Sequence, residues 1–304
     1  MRVLRFPAPV AAIGIFDGVH LGHQAILKKA VARARVLRGT PAAVTFHPHP
    51  VAVLDPPQVL PLLLSLEQRL ERFTAVGIRT TVVVPFTRSF SRWSPERFVR
   101  DLLVGRLKVR EIVIGRDFRF GAGRKGNVET LRRLGQRYGF KVHAVAPIRQ
   151  GRQRISSGVL RRLIASGRLR QAQKSLGWPV TLVGRVVHGA HRGRSLGFPT
   201  ANLKVEAGVL PPPGVYAVRT RLGNRVFDGM ANFGFRPTFI KHPGATPLLE
   251  VHLFGLTRHF GALYGRRLEV ELYQRIRPER QFPSGEALAR QLARDALRAQ
   301  AILA

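Results

Sequence analysis

Between residues 10 and 150 the chain alternates short apolar runs with longer amphipathic stretches, and this alternation limits its possible folds more than any other feature. The apolar runs include VAAIGIF, PAAVTF, TTVVVPF and VREIVIG, and they are followed by helical patterns such as HQAILKKAVARARVL and LEQRLERFTAVG. Continuous apolar runs are typical of parallel strands that are buried on both faces. We therefore predict an α/β, Rossmann-like domain whose parallel sheet carries helices on both faces.

The pattern changes after Pro179. Short β-like runs separated by Gly and Pro follow, among them VTLVGRVVHG, GVYAVRTRL, PLLEVHLFG and RRLEVELYQRI. Alternation with tight turns indicates antiparallel strands, in a barrel or a sandwich. We predict one helix over residues 159–177 and a terminal helix capped by Ser284. The boundary is placed near residues 178–182, with domains at 1–179 and 180–304.

Composition excludes several classes of protein. The apolar fraction of 45% in 304 residues is enough for two globular domains. The absence of cysteine rules out disulfides, thiolate metal sites and a cysteine nucleophile. The N-terminal stretch has neither a signal-peptide pattern nor a membrane-spanning length of apolar residues, so we expect a cytoplasmic protein.

The net charge of +34 is unusually high for a globular chain and comes mainly from arginine. Such a charge is typical of nucleic-acid-binding proteins, because phosphate neutralisation drives non-specific binding. Here, however, the arginines are scattered singly between apolar residues and form no dense basic arm. We therefore favour an Arg-biased lineage and expect no specific nucleic-acid partner, while an anionic substrate such as a nucleotide suits either interpretation.

Two histidines, His20 and His23, lie where the first predicted strand gives way to a helix. In an α/β sheet, ligands bind at this edge, and free N–H groups of the helix can bind phosphate. Gly14, Gly18 and Gly22 would allow close approach of the backbone, while imidazoles can donate hydrogen bonds to a transferring phosphoryl group. A capping histidine beside a surface histidine is one alternative. Another is a zinc site, which would need a third ligand.

The segment GIFDGVHLGH resembles the HxGH nucleotide-binding motif of the nucleotidyltransferase superfamily, in the form found in bacterial FAD synthetases. Three later segments follow in that family's order: TFHPHP, GRDFRFGAGRKGN and RISSGVLRRLIASG. The resemblance implies that His20 and His23 stabilise the α-phosphate of ATP. It also implies nucleotide- and flavin-binding roles for Gly14, Phe16, Asp17, Gly22, Asp117 and Phe118, and for the distal phosphate-binding residues Arg154, Ser156, Ser157 and Arg161.

The second half contains GRSLGFPTANL, which resembles the signature of riboflavin kinases, and GMANFGFRPTF and LLEVHLFG follow in that family's order. The resemblance implies a small antiparallel β-barrel with a terminal helix. It implies Glu250 as the catalytic base, and Thr200 and Asn202 as ligands of Mg²⁺. The remaining substrate-binding residues that it implies are Gly193, Gly197, Pro199 and Arg236. Neutral oxygens suit Mg²⁺, which binds few protein ligands together with substrate phosphates.

Together the two resemblances imply a bifunctional enzyme of flavin cofactor synthesis, with Mg²⁺ accompanying ATP. The C-terminal domain would phosphorylate riboflavin to FMN, and the N-terminal domain would adenylylate FMN to FAD with release of pyrophosphate. Gly158 stands where the synthetases usually have Thr, and Asn127 where they usually have Asp. A relative that keeps only the kinase activity is therefore one alternative hypothesis, and a basic nucleic-acid-binding protein is another.

Overall fold

The computed structural model describes residues 7–58, 60–189, 196–206, 208–235, 247–256 and 263–304. The chain forms two compact units, Met1–Ser157 and Gly158–Ala304, which are described separately. The predicted domain limits at 1–179 and 180–304 remain a prediction. Among the described residues, no helix combines the length and the apolar character needed to cross a membrane.

The first unit contains a five-stranded sheet in which all strands are parallel. Its strands are β1 (Val10–Ile13), β2 (Pro41–His47), β3 (Thr80–Pro85), β4 (Glu111–Gly115) and β5 (Lys141–Val145), and a short hairpin, β6 (Arg149–Gln150) and β7 (Gln153–Arg154), follows. Its helices are α1 (Leu21–Val36), α2 (Pro50–Leu54), α3 (Leu66–Val76), α4 (Arg88–Ser91), α5 (Pro95–Arg97), a π-helix (Phe98–Arg106), a 3₁₀ turn (Ala122–Arg124) and α6 (Val128–Tyr138).

Helices cover both faces of this sheet, as predicted. One face contributes alternate residues, including Ile13, Phe46 and Ile114, to a core with the π-helix and α6. The intervening residues of β1, such as Val10 and Ala12, are also fully buried. They point to the opposite face because side chains alternate along a strand, and α1 packs against β1, β2 and β4 there.

The strand order β3-β2-β1-β4-β5 places β1 beside β4 at the point where the order reverses. In open parallel sheets, ligands bind in the crevice beyond the carboxyl ends of the strands at this switch point. The segments that follow β1 and β4 carry the HxGH motif and Asp117, respectively. The fold therefore brings two motifs that are about a hundred residues apart to one edge of the sheet.

The second unit contains a closed six-stranded antiparallel barrel with the order β10-β11-β12-β9-β8-β13, so the barrel expectation is confirmed. Its strands are β8 (Val180–Val187), β9 (Ala201–Val205), β10 (Gly214–Leu222), β11 (Arg225–Phe235), β12 (Pro247–Leu253) and β13 (Arg267–Arg277). Alternate side chains such as Val218, Phe233 and Leu249 are fully buried. Tyr216 is buried as well, and its hydroxyl donates to the carbonyl of Pro212.

In the described part of the second unit, three helices accompany the barrel. The prediction of one helix over residues 159–177 is wrong: α7 (Ser157–Ala165) and α8 (Leu169–Leu176) are separate, because Gly167 adopts a left-handed backbone with φ of +73° between them. The C-terminal helix (Gly285–Leu303) begins at Ser284, whose Oγ accepts from the N–H of Ala287 at 3.2 Å. That cap agrees with the prediction from sequence.

Candidate active site

The loop that joins β1 to α1 has a strained backbone. Phe16 and Val19 have φ of +56° and +39°, and Gly18 between them has +87°. Residues other than glycine rarely have a positive φ, and a β-branched residue such as Val19 is an outlier there. Strain of this kind persists only where the surroundings enforce it, and it is common at functional sites.

Hydrogen bonds connect the loop to two segments that are distant in sequence. The buried Asp17 carboxylate accepts from the N–H of Leu63 at 2.9 Å, and Ser157 Oγ donates to the carbonyl of Asp17 at 2.8 Å. Phe16 packs edge-on against Phe73 of α3, with ring centroids 5.4 Å apart. The segment from Leu63 to Phe73 therefore contacts the loop at Asp17 and at Phe16. Nothing in the sequence of this segment indicated such a role.

His20 and His23 form a stacked pair at the start of α1, with ring centroids 3.6 Å apart. His20 is the N-cap: its Nδ1 accepts from the backbone N–H of His23 at 3.3 Å. Burial lowers the pKa of His20 to about 4; a backbone hydrogen bond opposes this shift, and the positive charge of Arg154 adds to it. Burial, followed by the proximity of His20, also lowers the pKa of His23. Both rings are therefore neutral near pH 7.

This arrangement makes His20 a hydrogen-bond donor without a positive charge. Because Nδ1 accepts a hydrogen bond, the proton of the neutral ring is on Nε2, which is then available to donate. Nδ1 of His23 is buried and has no hydrogen-bond partner among the described residues. Of the alternative that pairs a capping histidine with a surface histidine, the cap is present at His20, whereas His23 is half-buried. The cap leaves the other ring nitrogen of His20 available for a ligand.

Two glycines of the motif make room for aromatic rings of the protein itself. A Cβ on Gly14 would lie 2.9 Å from the Phe16 ring, and one on Gly22 would lie 3.1 Å from the His20 ring. Both distances are shorter than ordinary van der Waals contacts. These glycines therefore allow the positions of Phe16 and His20, which adds a packing reason to the predicted role in phosphate approach.

Asp117 follows β4 on the same edge of the sheet. Arg154 of β7 donates a hydrogen bond to its carboxylate. Burial acts to raise the pKa of Asp117, but the Arg154 hydrogen bond and charge lower it overall. Because Arg154 also affects the pKa of His20, one guanidinium lies within electrostatic range of both motifs. Phe118 is half-buried and stacks on the core residue Phe120 at 5.6 Å.

Two residues of the predicted distal phosphate-binding segment, Ser156 and Arg161, are half-buried. Ser156 precedes α7, and Arg161 lies within it. Gly158, in the first turn of that helix, has space around it: an added Cβ would lie 4.0 Å from Nη1 of Arg162 and closer to nothing else. Asn127 accepts from the N–H of Thr130 at 2.9 Å and caps α6, so the change from Asp retains a capping oxygen.

In the second unit, Glu250 lies on β12 between two asparagines. It pairs with Asn202 of β9 on one side and with Asn232 of β11 on the other. Its neighbours along the strand, Leu249 and Val251, are fully buried in the barrel. Since side chains alternate, Glu250 faces outward, where it is half-buried. The three polar residues therefore share the outer face of the barrel.

The segment before β9 adjoins this group. Thr200 directly precedes the strand and lies two residues before Asn202 in the chain. Nδ1 of His252, two residues after Glu250, donates to the carbonyl of Pro199 at 2.8 Å. Gly197 is exposed with φ of +82°. Gly193 and Arg236, which the sequence also predicts as binding residues, lie outside the described residues.

The oxygens of this group suit a magnesium ion. Asn202 is buried, and its Oδ1 has no hydrogen-bond partner among the described residues. A buried carbonyl oxygen without a partner is energetically unfavourable unless a ligand or an ion binds it. Thr200, two residues earlier in the chain, has a hydroxyl that is a second neutral oxygen. Within the described part of the chain, no three residues of the His, Cys, Asp and Glu types form a cluster that could hold a metal ion.

The sequence matches two family models in tandem: the FAD synthetase model over residues 6–159 and the riboflavin kinase model over residues 176–303. It is 38% identical over 292 residues to the bifunctional riboflavin kinase/FMN adenylyltransferase of Escherichia coli K12, across 96% of this chain and 91% of that protein. The protein of the same name from Bacillus subtilis 168 is 36% identical over 289 residues, across 94% and 90% of the two chains. This chain belongs to the bifunctional riboflavin kinase/FMN adenylyltransferase family.

A solved structure has the same two-part architecture as this member of the family. It is described as a macrolide-efflux protein from Streptococcus pneumoniae, and it superposes with a TM-score of 0.86 at 29% identity, over 96% of this chain and 94% of that chain. The likeness supports the order of an α/β unit followed by a barrel. The efflux activity in its description concerns that protein alone.

Three aromatic residues, Phe118, Phe120 and Tyr216, lie in the matched segments and are candidates for stacking on the flavin, and they differ in exposure. Phe120 is 7% exposed and Tyr216 is fully buried, so neither offers a free ring face. Phe118 is half-buried and is the one of the three that remains a candidate. Four further residues beside the predicted sites were not indicated by the sequence: Leu63, Arg69, Asn232 and His252. Only their contacts with motif residues reveal them.

Proposed function

We propose that this chain converts riboflavin to FMN in its second unit and FMN to FAD in its first. The proposal is carried by one observation: each unit has its own set of polar residues, and each set coincides with one of the two family models matched in the same chain. The substrates are riboflavin, FMN and ATP. All the nucleotides are anions, and a net charge of +34 favours their capture.

In the kinase reaction, Glu250 acts as the general base. Its carboxylate accepts the proton of the primary ribityl hydroxyl while the oxygen attacks the γ-phosphorus of ATP, and ADP leaves. The position between Asn202 and Asn232 supports this role, because both cross-strand neighbours of the carboxylate are uncharged amides. Thr200 and Asn202 would hold Mg²⁺. When bound, the ion neutralises phosphate charge.

In the adenylyl transfer, an FMN phosphate oxygen attacks the α-phosphorus of a second ATP and pyrophosphate leaves. The nucleophile is already an anion, so no base is required. We assign His20 and His23 to the α-phosphate, where neutral rings donate hydrogen bonds as charge develops. Gly14, Phe16, Asp17, Gly22, Asp117 and Phe118, together with Arg154, Ser156 and Ser157, would line the nucleotide and flavin cleft. For Arg161, which belongs to the second unit, the distal phosphate role stays a prediction from sequence.

One incubation tests both reactions. The purified chain is mixed with riboflavin, excess ATP and Mg²⁺, and flavins are separated by chromatography. FAD is the expected product. Accumulation of FMN alone would contradict adenylyl transfer and support the alternative of a kinase-only relative, which Gly158 motivates. No product would contradict both reactions. Omission of Mg²⁺, with EDTA present, is expected to stop FMN formation.

A further inference from the structure

Arg69 is a buried arginine beneath the loop that carries the HxGH motif. It lies on α3, one helical turn before Phe73, and is 3% exposed. Among the described residues, no carboxylate lies within ion-pair distance of its guanidinium. Burial lowers its pKa, and only the more distant negative charge of Asp17 opposes that shift. A buried charge without a direct partner is costly, so its retention calls for a reason beyond packing.

Arg69 contacts the first residue of the strained loop, Ile15, and the neighbouring strand residue Thr45. Its Nη1 donates to the carbonyl of Ile15 at 2.8 Å and lies 3.2 Å from Oγ1 of Thr45. Thr45 is fully buried, and its hydroxyl donates to the same carbonyl at 3.0 Å. Two donors thus fix the peptide that directly precedes Phe16, where the backbone first becomes left-handed.

The charge of Arg69 acts on the next residues of the loop as well. Asp17 is 4% exposed, and its carboxylate is attracted by the guanidinium. Asp17 and Ile15 flank Phe16, whose ring also contacts His23 edge-on at 5.4 Å. Arg69 therefore interacts with the residues on both sides of Phe16, through a hydrogen bond to Ile15 and through attraction of Asp17. A neutral donor in its place could satisfy Ile15 but not attract Asp17.

We propose that Arg69 is a positioning residue for adenylyl transfer, holding the residue 15–19 backbone so that His20 and His23 are directed toward the nucleotide. The proposal rests on the adenylyltransferase activity proposed above. It differs from a purely structural role in one respect: it predicts a loss of turnover per folded molecule, because a small displacement of catalytic donors lowers the rate steeply.

Two substitutions separate charge from hydrogen bonding. Arg69→Gln keeps a donor for Ile15 without the charge, and Arg69→Lys keeps the charge with one donor centre. The matched control is Arg33→Gln, which removes an arginine that pairs with Glu111 at 2.7 Å at the opposite, amino end of β4. For each variant, kcat and KM are measured for FAD formation from FMN and ATP, with riboflavin phosphorylation by the same polypeptide as internal reference.

We expect Arg69→Gln to lower kcat for FAD formation by about tenfold or more, Arg69→Lys to lie between it and the wild type, and riboflavin phosphorylation to be unchanged. Arg33→Gln is expected to lower thermal stability without lowering kcat. An Arg69→Gln variant with kcat within about twofold of the wild type would overturn the proposal. So would a parallel loss of both activities.

Hydrogen exchange provides a readout that does not depend on turnover. Amides of residues 16–20 should exchange faster in both Arg69 variants than in the wild type or in Arg33→Gln. If Arg69→Gln does not fold, the Lys variant alone decides, and unchanged exchange in its loop would refute the proposal. If the wild type forms no FAD, the proposed adenylyl transfer fails, whereas the exchange measurement still decides whether Arg69 holds the loop.

Discussion

Glu250 and Asn202 are direct cross-strand partners on the outer face of the barrel, Glu250 on β12 and Asn202 on β9. This register places the carboxylate proposed as the base next to the amide proposed as a metal ligand. Directly opposite residues on antiparallel strands have Cβ atoms about 5 Å apart. One substrate molecule can therefore contact both groups. Because both residues belong to the second unit, either can be replaced without changing a residue of the first unit.

Replacement of Glu250 by Gln should remove riboflavin phosphorylation and spare FAD formation from supplied FMN. The amide has nearly the same shape as the carboxylate but cannot accept the hydroxyl proton. General-base catalysis contributes on the order of 10² to 10⁴ in rate, and we expect a loss of that size. Initial rates of both reactions on the same preparation provide the measurement.

The matched control is Glu206→Gln, because Glu206 follows β9 and pairs with Arg267 at 3.0 Å, away from the group around Glu250. That variant should retain both activities. If Glu250→Gln also loses FAD formation from FMN, the assignment of the two reactions to separate units is wrong.

His23→Ala should show the reverse pattern. The ring stacks on His20 at 3.6 Å and is proposed to donate to the α-phosphate, so its removal deletes one donor and loosens the other. Loss of one such donor typically lowers kcat by about 10² to 10³. FAD formation should fall accordingly while riboflavin phosphorylation continues. His143→Ala is the control, since His143 contacts Glu111 at 2.7 Å at the amino end of β4, the end opposite to the HxGH motif; equal losses in both variants would count against a phosphate role.

The stability of the first unit should decrease as the pH falls from about 6.5 to about 4. His20 has a pKa of about 4 when folded and 6.5 otherwise. In that window the unfolded chain binds a proton that the folded chain excludes, so protonation favours unfolding. The contribution is on the order of 3 kcal/mol for a shift of this size. Urea unfolding followed by Trp93 fluorescence, in a Trp178→Phe background, measures it.

His20→Asn is the variant that isolates this effect, because Asn is a good N-cap and does not titrate. Its unfolding free energy should vary less with pH than that of the parent across the same window. Identical pH profiles would show that His20 does not account for the acid sensitivity.

The strands of the first unit could be predicted because parallel strands buried on both faces must be apolar throughout. The barrel could be described from sequence alone only as a barrel or a sandwich, since closure depends on pairing between β10 and β13, which are distant in sequence. The break at Gly167 was missed because a single glycine in an otherwise periodic stretch is compatible with a continuous helix.

The candidate sites were predictable where a motif carries them and not where tertiary contacts do. The HxGH segment and the PTAN segment indicate His20 and Asn202 directly. Arg69 lies in LEQRLERFTAVG, where an arginine ordinarily marks the solvent face of an amphipathic helix. Only the fold shows that this face is turned toward the carbonyl of Ile15. Asn232 likewise became visible through its register with Glu250.

Gly158→Thr should increase FAD formation. The residue lies in the first turn of α7, where an added Cβ would lie 4.0 Å from Nη1 of Arg162, so a side chain can be added there without a clash at Cβ. A hydroxyl at this position of the predicted phosphate-binding segment can donate to a charged phosphate oxygen. Such a bond contributes about 1.5 kcal/mol, which corresponds to a gain of up to about tenfold in kcat/KM for ATP.

Gly158→Val is the control for this gain, because valine has the shape of threonine without the hydroxyl. Both substitutions replace a helical glycine, so both can change thermal stability, whereas only threonine should raise the rate. Equal rates in the two variants would show that the hydroxyl has no role. If the wild type stops at FMN, formation of FAD by Gly158→Thr alone would show that this position separates a kinase-only chain from a bifunctional one.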